Sequence, residues 1–349
     1  MSRTVNQQIT PNFRSLNVAK SKLAHKILRN FPLEKWNQHP IIIGVSGGPD
    51  SVALLRIADE LSKNSSNTQL IVAHANHKQR GKESENDQKF VEALAGQLNI
   101  ACNCQPLPVE SDEATEGLES ALRDLRYEWF GQLANQTGAR YVMTAHNQND
   151  QTETVLFRLM RGTGILGLAG IPKQRRLVEG VTLLRPMLNI SRDEIVEYLN
   201  VIQQPVRMDA SNASSIFTRN RIRNELIPKI KSDFSPQLDQ RIQSLSAQAA
   251  ECQKYLDSIA MELLENAIHF QSEAFSVDCA QLSNQPAILV RHTLVLAWKR
   301  MGWSLRDMTY AKWQTAASVI TTDTHPESKL PGNIKMTRQD SSILFQREG

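Results

Sequence analysis

Three stretches place reactive residue types at useful spacings. The first is Ser46-Gly47-Gly48-Pro49-Asp50-Ser51. Its glycines let backbone approach a ligand closely, and N–H groups opening a helix favour a phosphate. Asp50 and Ser51 suit helix N-caps, and the Asp50 carboxylate also suits a divalent cation. The lysine of the G-x-x-x-x-G-K-S/T loop is missing, and G-x-G-x-x-G does not fit. The second stretch holds His146, Asp150 and Glu153 at spacings of four and three, which a helix stacks on one face. Such a set can bind a metal, trade protons or position an amine. It can equally be a cap, with Asn147 or Asn149 at the N-cap and the acids complementing the dipole. The third stretch runs from Arg158 to Lys231, with thirteen basic and six acidic residues, a surplus of +7 against +4 for the whole chain. Its densest part is Thr218-Arg219-Asn220-Arg221-Ile222-Arg223. A local surplus of this size points to a polyanionic partner.

Regular elements must bring these stretches together. Ile41-Ile42-Ile43 run straight into the first stretch, and Val52, Leu54, Leu55, Ala58 and Leu61 follow at helical spacing. That is strand, tight loop, helix. Further strands are expected at 69–73, with an exit through His77, near 100–104, and at 141–144. Helices are expected around Phe90, Leu94 and Leu98 and over 118–137, with an acidic loop at 110–116 before the second. The alternation predicts an α/β fold with a doubly wound parallel sheet. In such sheets ligands sit at the carboxyl ends of the strands, where 46–51, 73–77 and 145–153 all fall. Four glycines between Arg161 and Pro172 predict a mobile or closely packed loop. A hairpin is expected at 175–178 and 182–184, turned at Glu179-Gly180. Ser191 to Glu194 reads as a capping box opening a helix through Ile202.

The character of the chain changes at 233–236, where a domain boundary is expected. Leu238, Ile242, Leu245, Ala249, Cys252, Leu256, Ile259 and Leu263 form a heptad seam. Packing within a small domain is the preferred reading, and a coiled coil between two copies, a homodimer, is the second. Helices near 286–301 and 305–320 and a closing hairpin at 330–345 complete a smaller, mainly helical C-terminal domain over 233–349, after an α/β domain over 21–232. Residues 1–33 hold six basic residues and no acidic ones. A disordered or basic leader over 1–20 running into a helix near 16–31 is favoured over a targeting segment. Four cysteines make no disulfide framework, so a cytoplasmic home is expected. No apolar run approaches membrane-spanning length.

Several segments now line up with one family. The 46–51 loop resembles the PP-loop of the N-type ATP pyrophosphatases. His74-Ala75-Asn76-His77-Lys78-Gln79-Arg80 is similar to H-V-N-H-G-L-R, and Glu119 to Tyr127 to E-x-x-A-R-x-x-R-Y with the first Arg shifted by one. Residues 145–171 resemble A-H-H-x-D-D-Q-x-E-T followed by R-L-x-R-G-T-G-x-x-G-L-x-G-I. Asp209 to Asn212 and Arg219 to Pro228 resemble D-x-S-N and R-N-R-I-R-x-x-L-x-P. Together they resemble the tRNA(Ile)-lysidine synthase family, over about residues 40–230. The resemblance implies that ATP adenylates the wobble cytidine of an isoleucine tRNA with a CAU anticodon and releases pyrophosphate. Free L-lysine then displaces AMP. It implies that Ser46, Gly47, Gly48, Pro49, Asp50 and Ser51 hold ATP, with Asp50 on Mg²⁺. Ala73 and His74 would meet the adenosine. His146, Asp150, Glu153 and Arg123 would serve catalysis, and Arg126, Arg219, Arg221, Arg223 and the C-terminal domain would bind tRNA. Two residues depart from the pattern: Asn147 stands at the family's second His and Asn149 at its first Asp. On sequence alone two alternatives stay open, another PP-loop tRNA-modifying enzyme such as a thiolase and a non-catalytic tRNA-binding protein.

Overall fold

The computed structural model describes residues 13–32, 39–63, 68–76, 82–107, 116–207, 218–322 and 328–348. The segments 1–12, 77–81, 108–115 and 208–217 lie outside it, and with them most of the leader, part of the His74–Arg80 string, nearly all of the acidic loop and the Asp209–Asn212 string. The chain divides into two compact units, 1–247 and 248–349.

The first unit runs α1 (Phe13–Asn30), β1 (Ile41–Gly44), α2 (Pro49–Ser62), β2 (Leu70–Asn76), α3 (Lys82–Gln97), β3 (Ala101–Pro106), α4 (Glu116–Thr137), β4 (Tyr141–Met143), α5 (Gln148–Met160) and α6 (Ile165–Leu168). It continues through β5 (Gln174–Val178), β6 (Val181–Leu184), α7 (Arg192–Val201), α8 (Thr218–Arg221), a π-helical turn over Ile222–Leu226, α9 (Ile227–Asp233) and the start of α10 (Leu238–Ala267). The strand order is β3-β2-β1-β4-β6-β5. All neighbours are parallel except β5, which closes the edge antiparallel to β6. This is the expected doubly wound sheet. The expected hairpin is present, and it adds two strands to that sheet rather than standing apart.

Ile41, Ile42 and Ile43 are fully buried because helices cover both faces of the sheet. Ile41 and Ile43 join Leu54, Leu55 and Ile57 of α2, Leu23 and Ile27 of α1, and Ile195 and Tyr198 of α7. Ile42 joins Phe130, Leu133 and Ala134 of α4 on the other face. Each such side chain contributes about 1.5–3 kcal/mol. The Ser191–Glu194 capping box forms as expected, and Lys26 grips Glu194 at 2.7 and 2.8 Å, tying α1 to α7.

The second unit takes the end of α10, then β7 (Ile268–Phe270), β8 (Ala274–Asp278), α11 (Cys279–Leu282), α12 (Ala287–Arg300), α13 (Tyr310–Thr321), β9 (Ser328–Leu330), β10 (Ile334–Gln339) and β11 (Ser342–Arg347). The expected helices are there, and the closing hairpin β10–β11 sits inside an antiparallel sheet ordered β7-β8-β11-β10-β9. Its core gathers Phe275, Trp298 and Phe345. The heptad seam does not stay on the buried side of α10. Leu238 and Ala249 are buried, but Leu245 and Cys252 are exposed, and Gln253, Ala260 and Leu264 take the inner side further on. A 3.5-residue repeat drifts by about 20° per heptad on a straight helix, which moves the seam off the core. No helix among the described residues is long and apolar enough to cross a membrane.

Candidate active site

Strands β1 and β4 are neighbours, with Ile43 opposite Met143. The loops leaving them therefore emerge side by side, which brings residues 46–51 against 144–153. In the first loop Val45 N–H donates to the Ala73 carbonyl at 2.9 Å. Gly47 then turns at φ +94°, a conformation that side chains resist. Ser51 Oγ accepts from Ser46 N–H at 3.1 Å and donates to the Gly48 carbonyl at 3.0 Å. Pro49 enters the first turn of α2, and the N-cap, Gly48, has no side chain to cap it. The first N–H groups of α2 thus face the loop without a side-chain acceptor, the arrangement that a phosphate completes. Arg207 N–H holds the Gly47 carbonyl from outside at 3.0 Å.

Ala73 and His74 support this loop from behind. Both are buried. His74 Nδ1 donates to the Val45 carbonyl at 2.8 Å, and burial depresses its pKa, so the ring is neutral. Both therefore brace the loop, Ala73 through its carbonyl and His74 through its ring.

Asp50 projects from the first turn of α2 towards α5. Its Oδ1 is buried without a hydrogen-bond partner, while the Asn147 side chain bonds the carboxylate. Burial raises the Asp50 pKa first, and nearby Asp150 raises it further. Asn147 is the N-cap of α5. Its Oδ1 accepts from Asn149 N–H at 2.9 Å and Asp150 N–H at 3.1 Å, and its own N–H donates to Asp150 Oδ2 at 2.9 Å. Asn149 Oδ1 accepts from Arg192 N–H at 3.1 Å, joining α5 to α7. Both departures from the family pattern therefore serve the entry to α5.

Glu153 is buried one turn on. Arg223 holds it with both arms, Nε to Oε1 at 2.5 Å and Nη2 to Oε2 at 2.8 Å, and Nη2 also lies 3.3 Å from Asp150 Oδ1. Burial raises the pKa of Asp150 and Glu153, and Arg223 pulls both back. Arg223 was expected on tRNA phosphates. The π-helical turn carries its backbone, its guanidinium lies on the two carboxylates, and Arg219 one turn earlier is half-buried. Arg221 is exposed beside Glu225 at 3.6 Å, and Arg219 donates to Thr154 Oγ1 at 3.4 Å.

His146 hydrogen-bonds Thr144 Oγ1 through Nδ1 at 3.0 Å. Burial, then the charges of Arg185, Arg123, Arg126 and Arg219, push its pKa down to about 3. It is a neutral polar ring within an arginine cluster. Arg185 was counted in the basic surplus but given no role. It is buried, donates to the Pro172 carbonyl at 2.8 Å and hydrogen-bonds Tyr127. A charge directly after the apolar run Val181–Leu184, at a strand's carboxyl end, was the available signal. Arg192, whose charge draws down Asp50 and Asp150, carried no such mark. The glycine-rich loop is closely packed: Gln151 Oε1 accepts from Ile171 N–H at 2.7 Å and Arg158 reaches the Gly170 carbonyl at 2.8 Å.

The chain as a whole is similar to known proteins. The PP-loop domain family matches residues 19–230. A tRNA(Ile)-lysidine synthase from Rhodopirellula baltica is 34% identical over 313 residues, 80% of this chain and 79% of that relative. Another from Bacillus cereus is 36% identical over 326 residues, 89% of this chain and 67% of that relative. A U34-tRNA thiolase from Methanococcus maripaludis shares the fold, with a TM-score of 0.58 at 13% identity over 72% of this chain and 88% of the thiolase. On these matches the chain belongs to the tRNA(Ile)-lysidine synthase family, PP-loop ligases that use ATP.

Proposed function

We propose that this enzyme joins free lysine to C2 of the wobble cytidine, position 34, of an isoleucine tRNA with a CAU anticodon. Cytidine O2 attacks the α-phosphorus of ATP and pyrophosphate leaves. The lysine ε-amine then attacks C2, loses a proton and expels AMP, giving lysidine. The observation that carries this reading is the uncapped start of α2 facing Asp50, Asp150, Glu153 and Arg223 across adjacent loops.

The roles follow from the surroundings. Ser46, Gly47, Gly48 and Ser51, with the first N–H groups of α2, cradle the pyrophosphate end of ATP. The residues also fit Mg²⁺: Asp50 Oδ1 is a buried oxygen without a partner, and Asp150 supplies a second carboxylate beside it. Magnesium is commonly held by one or two carboxylates plus substrate phosphates, and there it would neutralise charge on the leaving pyrophosphate. Asp150 is the acceptor for the amine proton, a half-buried carboxylate next to Glu153 on the same face of α5. Glu153, fixed by Arg223, forms the wall that pairs with the lysine cation. His146 is neutral, so it orients the base by hydrogen bonding rather than by charge. Arg123 and Arg126 face the arriving anions, and Arg219 and Arg221 face RNA phosphates. ATP, lysine and tRNA meet in the cytoplasm, the compartment this reading implies.

The sulfur-transfer alternative asks for a thiolate. Cys102 and Cys104 lie 3.7 Å apart on edge strand β3, and burial raises both thiols, which keeps them protonated. The test is pyrophosphate release with ATP, lysine and the tRNA transcript, with the RNA product weighed by mass spectrometry. Release that requires the transcript, and RNA gaining one lysine, support the reading. Release no greater than in a tRNA-free control overturns it.

A further inference from the structure

Tyr127, on α4, gathers arginines from two other elements. Arg123 of the same helix places its guanidinium carbon 5.4 Å from the ring centroid, and Arg175 of edge strand β5 places its own at 4.7 Å. The ring is pinned from below, where its hydroxyl bonds the buried Arg185, itself fixed on the Pro172 carbonyl. Burial alone would raise the Tyr127 pKa, but Arg123, Arg185 and Arg126 outweigh it and the net shift is downward. Three guanidiniums therefore surround one ring, and among the described residues none of Arg123, Arg175 and Arg185 is paired with a carboxylate.

The spacing between α4 and β5 is built for this. Gly131 faces Val178, and a Cβ at Gly131 would lie 2.7 Å from Val178 Cγ1, so the helix rests directly on the edge strand. The charge then continues outward. Arg123 is half-buried and Arg175 is exposed, and exposed basic residues flank Arg175 in the chain: Lys173, just before the strand and 3.4 Å from Asn30 Oδ1, and Arg176, 3.9 Å from Glu179. Exposed Arg140 reaches the Gly180 carbonyl at the hairpin turn. A free amino acid needs one or two donors inside a closed pocket. A guanidinium pair graded from half-buried Arg123 to exposed Arg175 matches a polyanion that enters from solvent.

We propose that Arg175 and Arg123, held apart by the Tyr127 ring, clamp the phosphodiester backbone of an RNA strand beside the target nucleotide, and that the β5–β6 edge carries that strand outward. This rests on the tRNA reading above. Arg175 and Arg123 contact the phosphates; Tyr127 and Arg185 are positioning residues. An arginine pair suits the task because planar guanidiniums grip phosphates with two N–H groups each and also lie flat on an aromatic face.

The experiment measures affinity of the full chain for the tRNA transcript across a salt series, together with KM for ATP and for lysine. Arg175→Ala should weaken RNA binding several-fold and reduce the slope of log K against log salt by about 1, the loss of one phosphate contact, with both KM values unchanged. Adding Lys173→Ala and Arg176→Ala should lower the slope further. Tyr127→Leu should reproduce Arg175→Ala, while Tyr127→Phe, which keeps the ring and loses only the hydroxyl bond to Arg185, should lose less. Should Tyr127→Leu not fold, exposed Arg175→Ala still decides. An unchanged slope in Arg175→Ala, with a reduced one in Arg221→Ala, overturns the clamp and leaves the tRNA reading standing. A raised KM for lysine with an unchanged slope also overturns it, assigning the arginines to a small carboxylate. Failure of the wild-type chain to bind tRNA overturns the tRNA reading itself.

Discussion

Asp50 is buried, carries an oxygen without a partner and faces another carboxylate, so the free protein bears a cost at this position. Its raised pKa means that, between pH 3.8 and the raised value, the native state holds a proton that the unfolded chain has released. Its stabilising contribution is full below pH 3.8 and is lost as pH rises through the raised value. Asp50→Asn should therefore keep or raise Tm at neutral pH, while pyrophosphate release falls by about 100-fold or more; thermal unfolding and the release assay measure the two sides. His146 has the opposite sign. Its pKa of about 3 lies below the ordinary 6.5, so the unfolded chain takes up the proton first and stability is lost as pH falls through that interval. His146→Gln should lose less Tm than wild type on acidification from about pH 7 to pH 5, and the rate profile should show no limb near 6.5 from this ring. Arg223→Ala should cost about 2 kcal/mol, less than a fully buried pair because its side chain is 30% exposed. Arg223→Lys should recover little of that, since one ammonium cannot match both Glu153 oxygens; chemical denaturation would measure both. The spacing singled out Asp150 and Glu153 but allowed a cap equally, and Asp150 does complete the capping box of α5. The direction of Arg223 was not legible, because a count of basic residues does not say which of them turn inward.

At the level of elements, the site depends on which strands are neighbours. Alternating strand and helix signals foretold a parallel sheet with ligands at its carboxyl ends, but not that β4 would lie beside β1, the adjacency that joins Asp50 to Asp150. Hydrophobic pattern fixes the face of a strand, not its place in the sheet order. The entry to α5 was more legible, because Asn147 and Asp150 stand three apart and form a reciprocal capping box. The hairpin was legible from its Glu179-Gly180 turn, while its pairing with β4 was not. Packing of α4 on β5 hangs on Gly131. Gly131→Ala should destabilise by about 1–3 kcal/mol, because a methyl group there meets Val178. Val178→Ala in the same chain should restore part of the loss, and thermal unfolding of the single and double variants checks the pair.

For the whole molecule, the two compact units differ in how plainly the sequence announced them. The first has long apolar strands flanked by turn signals. The second builds its sheet partly from β7 and β9, three residues each, and three residues are too few for an alternating pattern to register. On the tRNA reading proposed above, one turn of helix sets where the basic residues Arg219, Arg221 and Arg223 point. The π-helical turn at Ile222–Leu226 holds one residue more than an α-helical turn would need. That makes it a matter of insertion and deletion rather than of substitution. Removing exposed Glu225 should let the segment relax to an ordinary helix and swing Arg219, Arg221 and Arg223 by about 100° relative to the buried Ile227, which also takes Arg223 off Glu153. The folded core should survive, as circular dichroism would report, while affinity for RNA drops. The spacing of this stretch, counted in residues, therefore matters to RNA affinity alongside the side chains it carries.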